Sequence, residues 1–509
     1  MTNNQKITLN IVTSLVTFAI TIIISLFITP VIVENLGSEA YGFVGMAQNF
    51  VSYASLVTVA LNSMSGRFVS VEIYRGDYKE ANKYFTSVFC ANLLLAVAML
   101  PVAVGVVWRL EHLVEIPARL VHDVKVTFAI TFLQFLLNVV FTRYEIATFV
   151  TNRMYLNQKN SLIASAIRLG LTLLCFHWLS VKISYLAAAT FIGVMYTYVM
   201  NVVYTRRYLP EMKIRRKDFD FAYIRRVLVS GVWGLLDKLS NILMDGLDLL
   251  LTNLLIGPVQ MGALALSRTI IVMFYSLRGT LDYPFSPPMT ECYAKGDIDG
   301  VIRNARMGSK VLGIVMIAPM AAFVSYGISF FKLWVPSQDS VMIQTLAMLA
   351  MLNLLSGACI NPVLSLFTIT NHVRLPALMT LLTGVLTVTI NLILLNFTDL
   401  GVYAIATTAS ALGMLRNYIF TPLYGAHCLG VKKATFYHEI LIGNLCLALN
   451  LAVGFVFYRF ISAGENWITL ILAAGSMTLV CIIINFFVVL KKEERTALAA
   501  AIRNKLKRG

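Results

Sequence analysis

Charge is what this chain has least of. Asp, Glu, Lys and Arg make up 13% of its 509 residues, about half the ~25% of an ordinary soluble domain. A water-soluble fold of this size is thereby excluded. Cysteine is also sparse: Cys90, Cys175, Cys292, Cys359, Cys428, Cys446 and Cys481 are scattered, with no CxxC pair. That spacing suggests neither a disulfide framework nor a zinc site, and packing is the role expected of them. There is no HExxH, no GxxxxGK[ST] and no GxSxG, so metal-dependent hydrolysis, ATP hydrolysis and serine-hydrolase chemistry lose their signatures. The six histidines lie near the ends of apolar runs. Long polar loops on one side of the apolar runs are missing as well, which leaves no room for a folded extracytoplasmic domain.

What is present is apolar sequence: 58% of the residues are hydrophobic and the mean hydropathy is +0.77. Runs of about 20 residues recur from end to end, each long enough for a hydrocarbon layer of ~30 Å. The expected fold class is all-α integral membrane, with about fourteen transmembrane helices. They are predicted at 8–33, 42–68, 84–109, 120–150, 155–178, 182–205 and 226–256, then 260–290, 306–330, 341–368, 374–397, 400–424, 437–460 and 466–490. The first run follows a single Lys6 and is too long for a signal-peptide core, so it reads as a retained span.

Net charge is +16, a value that could indicate nucleic acid. Its distribution points elsewhere, and no nucleic-acid partner is expected. The 41 Lys and Arg residues divide into 29 on one side of the predicted spans, six on the other and six within them. The positive-inside rule places the richer side, with both termini, in the cytoplasm. Trp108, Trp178, Trp334 and Trp467 fall at the outer ends of spans, where an aromatic belt belongs.

The chain repeats itself. Shifted by 220 residues, Leu36-Gly37 meets Ile256-Gly257, Tyr41-Gly42 meets Met261-Gly262, and Arg75-Gly76-Asp77 meets Lys295-Gly296-Asp297. Six spans separate the copies, so both halves insert in the same direction, and a substrate path between parallel halves is the expected plan. The predicted organisation is an N-lobe at 1–210 and a C-lobe at 211–427 after the basic linker RRYLPEMKIRRKDFDFAYIRR. Two extra helices and a basic tail follow at 428–509.

Seven charges stand out in spans 7 and 8: Asp237, Lys238, Asp245, Asp248, Arg268, Arg278 and Asp282. Each costs about 2.5–3.5 kcal/mol near the bilayer centre on insertion scales. On an uninterrupted helix at ~100° per residue, Asp237, Asn241, Asp245 and Asp248 share one stripe about 80° wide. Arg268, Tyr275, Arg278 and Asp282 do likewise. The repeat places neutral residues opposite them: Thr17, Thr21 and Ser25 in span 1, and Gln48, Thr58 and Asn62 in span 2. A charged second half facing a neutral first half is the expectation, with the charged part of any substrate nearer the second lobe. Arg143 and Glu145 in span 4 are further intramembrane charges. Arg168 and Arg416 read as side chains that snorkel toward span ends.

Two uses of these charges compete. They could pair to hold helices together, Arg278 with Asp282 at i,i+4 for instance. The functional reading makes Lys238, Asn241, Arg143, Arg268 and Arg278 substrate-binding. Asp237, Asp245, Asp248, Asp282 and Glu145 then serve ion coupling or gating. No cofactor is expected, and a proton or sodium gradient is the candidate driving force. Pro30, Pro284, Pro287, Pro288 and Pro362 kink or end spans 1, 8 and 10.

The segments NLGSEAYG after span 1, ATFVTNRMYLNQKN between spans 4 and 5, and PFSPPMTECYAKGD after span 8 carry a resemblance. With two six-span lobes and two added spans, the chain resembles the polysaccharide-transporter (Wzx-like) flippases. That group belongs to the multidrug/oligosaccharidyl-lipid/polysaccharide exporter (MOP) superfamily, alongside MATE antiporters and lipid II flippases. The resemblance implies alternating access in the cytoplasmic membrane, moving an undecaprenyl-pyrophosphate-linked oligosaccharide outward. It also implies cationic cavity residues for the pyrophosphate, a role falling on Arg268 and Arg278, and a lipid-tail groove at spans 13 and 14. Partners implied are the lipid-linked oligosaccharide, membrane lipids, and the glycosyltransferases and polysaccharide polymerase acting before and after export. One departure counts against the lipid II branch: span 1 carries no charge between Lys6 and Glu34, where those proteins carry arginines. A MATE-type cation-coupled drug antiporter is the alternative, for which twelve spans would be expected. An enzyme would need an outer loop that the chain lacks.

Overall fold

The computed structural model describes residues 20, 22–151, 153–461, 466–490 and 495. Lys6, Thr17, Thr21, the first part of span 1 and most of the basic tail lie outside the described residues. Within them the chain is helical and contains no strand, as expected where hydrocarbon offers the backbone no partner and each segment must satisfy its own N–H and C=O groups.

Two packing units result. The first contains residues up to 266 together with 377–389. It is built from α1 (Ile22–Leu36), α2 (Ser38–Tyr74), α3 (Tyr78–Trp108), the single turn α4 (Leu110–Leu113), α5 (Val121–Phe141), α6 (Ile146–Val150), α7 (Tyr155–Trp178), α8 (Ile183–Tyr208), α9 (Phe221–Asn241), α10 (Asp248–Leu255) and the start of α11 (Pro258–Asp282). Small residues set its closest approaches, as is common between membrane helices. A side chain at Gly231 of α9 would lie 1.7 Å from the Ala60 carbonyl of α2, and one at Gly193 of α8 would lie 2.7 Å from the Ala164 carbonyl of α7. Phe85, Val88, Tyr223 and Val227 fill the core between α3 and α9.

The second unit holds the rest of α11, then α12 (Ser286–Ala294), α13 (Ile298–Trp334), α14 (Ser340–Gly357) and α15 (Asn361–Ile369). It continues with the ends of α16 (Arg374–Phe397), α17 (Val402–Tyr418), α18 (Phe420–Cys428), α19 (Tyr437–Phe460) and α20 (Trp467–Val489). Helix α13 is its axis, with α19 and α20 packed along it and α14 packed on α17. Glu439 of α19 is 4% exposed and receives Arg306 of α13 at 3.0 Å. The pair ties the first added helix to the rest of the unit.

The 220-residue repeat is visible in the backbone. Helix α2 covers 38–74, and α11 with α12 covers 258–294, the same length at the predicted offset. Gly37 and Gly257 both take positive φ (91° and 134°), as do Gly76 and Gly296 (80° and 74°), a region glycine enters without a Cβ penalty. Asp77 then caps α3 by accepting from the Glu80 amide, and Asp297 caps α13 by accepting from the Gly300 amide. Packing divides the chain at a different place from the repeat, because α9 lies against α2 and is built into the first unit.

Eleven helices of the described chain are long and apolar enough to cross a membrane, and Ile22–Leu36 and Ser340–Leu355 are shorter apolar helices. Single helices therefore do not reach the expected fourteen. Predicted span 10 is divided into α14 and α15, and span 12 into α17 and α18.

Candidate functional site

Span 4 is broken where its charges sit. After α5 the backbone tightens into a 3-10 turn over Thr142–Glu145 before α6 begins. The turn frees carbonyls that hydroxyls recover: Thr205 donates to the Tyr144 carbonyl at 2.9 Å, and Thr148 to that of Glu145 at 2.9 Å. Arg143 is 9% exposed. Its Nη2 donates to Asn62 Oδ1, which also accepts from Asn92 Nδ2 at 2.9 Å. Its Nε is buried with no hydrogen-bond partner among the described residues.

Two clefts adjoin this break. One, of about 490 Å³, is lined by Asn62, Arg67, Thr142, Arg143, Glu145 and Phe149. The other, of about 450 Å³, is lined by Glu145, Asn157, Asn160, Ser161, Arg168 and Thr197 among others. Glu145 belongs to both. Arg168 does not snorkel to a span end. It stands mid-way along α7, at least ten residues from either terminus, and lines the cleft. Arg67, tallied from sequence with the cytoplasmic charges, lies within α2 and lines the other. The first unit is therefore not a neutral wall. Arg67, Arg143, Glu145 and Arg168 on spans 2, 4 and 5 charge it, and α9 and α10 bring Asp237, Lys238, Asp245 and Asp248 into the same unit.

Span 7 departs from regular helix inside the acidic stripe. Residues Ile242–Gly246 form a π-turn, with Leu247 N donating to Ile242 O at 3.1 Å and the Tyr53 hydroxyl donating to the Gly246 carbonyl at 2.5 Å. A π-turn holds one residue more than an α-turn, so everything after it lags by about 100° of rotation. Asp237, Asn241 and Asp245 share an exposed face, whereas Asp248 is 1% exposed. Asp248 thus leaves the predicted stripe, and Lys238 is half-buried. Asn241 Nδ2 donates back to the Asp237 carbonyl at 2.7 Å.

In the second unit Arg278 lies over the Tyr275 ring, 4.9 Å from its centroid. Asp282, the repeat counterpart of Asn62, accepts from Asn361 Nδ2 at 2.7 Å. Asn361 opens α15 directly after the break in span 10. Asn417 Nδ2 donates to Asn353 Oδ1 at 2.8 Å, and Asn353 Nδ2 to the Tyr275 hydroxyl at 3.5 Å. Gly357 leaves the room: a side chain there would meet Asn417 Nδ2 at 2.6 Å. Arg268 is half-buried on the same helix as Arg278. Both units therefore use one device, in which a polar residue at the equivalent place in the second span grips a break in the fourth. Sequence reasoning had Asn62 and Asp282 but missed Asn92, Asn353, Asn361 and Asn417. The one available signal was the recurrence of asparagine inside otherwise apolar runs.

No protein-family model matches the chain. It is similar to EpsK of Bacillus subtilis (strain 168), an uncharacterized membrane protein, with 29% identity over 494 residues covering 96% of this chain and 97% of EpsK. Among solved structures it is similar to the lipid II flippase MurJ in an inward closed conformation, with a TM-score of 0.70 and 13% identity over 94% of this chain and 100% of MurJ. It is also similar to a multidrug resistance MATE family transporter in its inward-facing conformation, with a TM-score of 0.61 and 14% identity over 81% of this chain and 94% of the transporter. At these identities the likeness is one of backbone architecture, and the chain shares the all-helical fold of these two solved membrane proteins.

Proposed function

We propose that this protein is a flippase that carries an undecaprenyl-pyrophosphate-linked oligosaccharide, a surface-polysaccharide precursor, outward across a bacterial cytoplasmic membrane by alternating access. The observation that carries this reading is Arg143. A guanidinium nine-tenths buried at a break in a spanning helix, with an unpartnered Nε and lining a cleft of about 490 Å³, is suited to an anionic oxygen-rich head group, since arginine binds phosphate oxygens through its planar fork. Arg67 and Arg168 extend that surface in the first unit. Arg268 and Arg278, with Lys238 and Asn241, supply further polar stations. The fold shared with the lipid II flippase supports the reading. Both termini lie in the cytoplasm, and glycosyltransferases and a polymerase act on the lipid before and after passage.

The test is reconstitution. In proteoliposomes bearing a fluorescent undecaprenyl-pyrophosphate-linked saccharide, the protein accelerates exchange between leaflets, read by quenching the outer leaflet. Arg143→Gln lowers that rate at least tenfold at an unchanged thermal midpoint. Exchange no faster than in protein-free vesicles overturns the proposal. A second reading, a cation-coupled MATE-type antiporter, draws on the exposed carboxylates of Asp237 and Asp245 beside the π-turn. Proton- or sodium-driven efflux of a cationic dye, lost in Asp245→Asn, with no lipid exchange would favour it.

A further inference from the structure

The basic linker between α8 and α9 is held in place by its backbone. Leu209 and Met212 are buried at 4% and 6% exposure, in the core formed by Tyr84, Phe85, Tyr223 and Ile224. Three side chains of α3 hold the segment between them. Asn82 accepts from the Lys213 amide at 3.0 Å and donates to Asp218 Oδ2 at 3.1 Å. Thr86 donates to the Lys213 carbonyl at 3.5 Å. Ser87 accepts from the Asp220 amide at 2.9 Å, and Asp220 in turn caps α9 through the Ala222 amide at 2.8 Å. Asn82, Thr86 and Ser87 are all buried.

That fixing faces the basic side chains outward. Arg206, Arg207, Lys213, Arg215, Arg216, Lys217, Arg225 and Arg226 are all exposed. Asp218 is half-buried against Asn82, while Asp220, which caps α9, and Glu211 are exposed and leave the segment strongly cationic. Ile214, Phe219 and Phe221 stand exposed among the cations at 40%, 43% and 68%. Apolar side chains interleaved with cations, on a short segment running between the ends of two membrane-spanning helices, match the boundary of an anionic bilayer, where basic clusters meet lipid phosphates and apolar groups enter the acyl edge. A nucleic acid would take the cations and leave Ile214 and Phe219 in water.

We propose that residues 213–221 form a preorganised site for anionic phospholipid head groups in the leaflet from which α8 and α9 emerge. This site is independent of the transport reading. It binds phosphatidylglycerol through Arg215, Arg216 and Lys217, and the grip of α3 removes the ordering cost a free loop would incur on binding.

Native mass spectrometry of the detergent-purified full-length protein, titrated with dioleoylphosphatidylglycerol or dioleoylphosphatidylcholine, tests it. The wild type binds phosphatidylglycerol at least tenfold more tightly than phosphatidylcholine. The triple variant R215Q/R216Q/K217Q, all at exposed positions, weakens the tightest phosphatidylglycerol site on the order of a hundredfold and leaves phosphatidylcholine binding unchanged. Equal wild-type affinity for the two lipids overturns the site. So does wild-type phosphatidylglycerol affinity in the triple variant, or preference for oligouridylate over lipid on the same three side chains. Asn82→Ala and the milder Ser87→Ala keep every charge. A tenfold loss in both supports preorganisation, and unchanged binding in folded Ser87→Ala overturns that part.

Discussion

Arg143 shows what one buried cation demands of its surroundings. Asn62 Oδ1 answers it and Asn92 together, so Asn62→Leu strands the Asn92 amide and leaves Arg143 Nη2 only the long contact to the residue-62 carbonyl at 3.5 Å. Leaving a charged donor without its acceptor costs about 1.5–3 kcal/mol, and a lowered thermal midpoint of the purified protein is the expected outcome. Asn62→Asp installs the residue that the repeat already places at Asp282, and the charge-assisted bond keeps the midpoint at or above that of the wild type. Equal loss in both variants would remove the assigned bond. The sequence displayed the cost of Arg143 but not its remedy, because Asn62 and Asn92 are 81 and 51 residues away along the chain and meet it only when α2, α3 and α5 pack.

Among elements, the instructive one is α9 with its π-turn. A stripe drawn at 100° per residue assumes regular helix, and within 242–246 only the single Gly246 hints otherwise. The turn is held by Tyr53 on a neighbouring helix reaching the Gly246 carbonyl, a contact invisible to any local window. The predicted result is a difference in labelling. In a cysteine-free background, Asp245→Cys reacts with a membrane-impermeant maleimide and Asp248→Cys does not. Reaction at both would restore the regular stripe. The breaks in spans 4 and 10 differ in legibility for a similar reason: Gly357 and Pro362 flank the second, whereas Thr142–Glu145 contains neither residue type and is tightened by tertiary hydroxyls.

At the scale of the whole molecule, the repeat was the most legible feature, since glycines with positive φ and capping aspartates mark backbone positions directly. Gly42 and Gly262, paired by the repeat, also meet in space. A side chain at Gly42 would lie 3.2 Å from the Gly262 backbone, and one at Gly262 would lie 2.4 Å from the Ser38 carbonyl carbon. Gly262→Ala has no flexible neighbour to displace there, and the expected outcome is loss of the monodisperse peak in fluorescence-detected size-exclusion chromatography. A wild-type profile would refute the crossing. The packing units were less legible, because membership depends on contacts such as Gly384 of α16, where a side chain would lie 2.8 Å from Leu243 Cβ and 3.0 Å from the Ser240 carbonyl.

That last contact has a consequence for biosynthesis. The seat on α9 that receives α16 is made early, but its occupant leaves the ribosome only after α11 to α15 have been synthesised. Until then, the Ser240–Leu243 surface waits uncovered in the nascent membrane intermediate. The first unit cannot mature in order of translation, and a chain stalled before α16 presents that seat to insertion factors and membrane proteases as the mark of an unfinished protein.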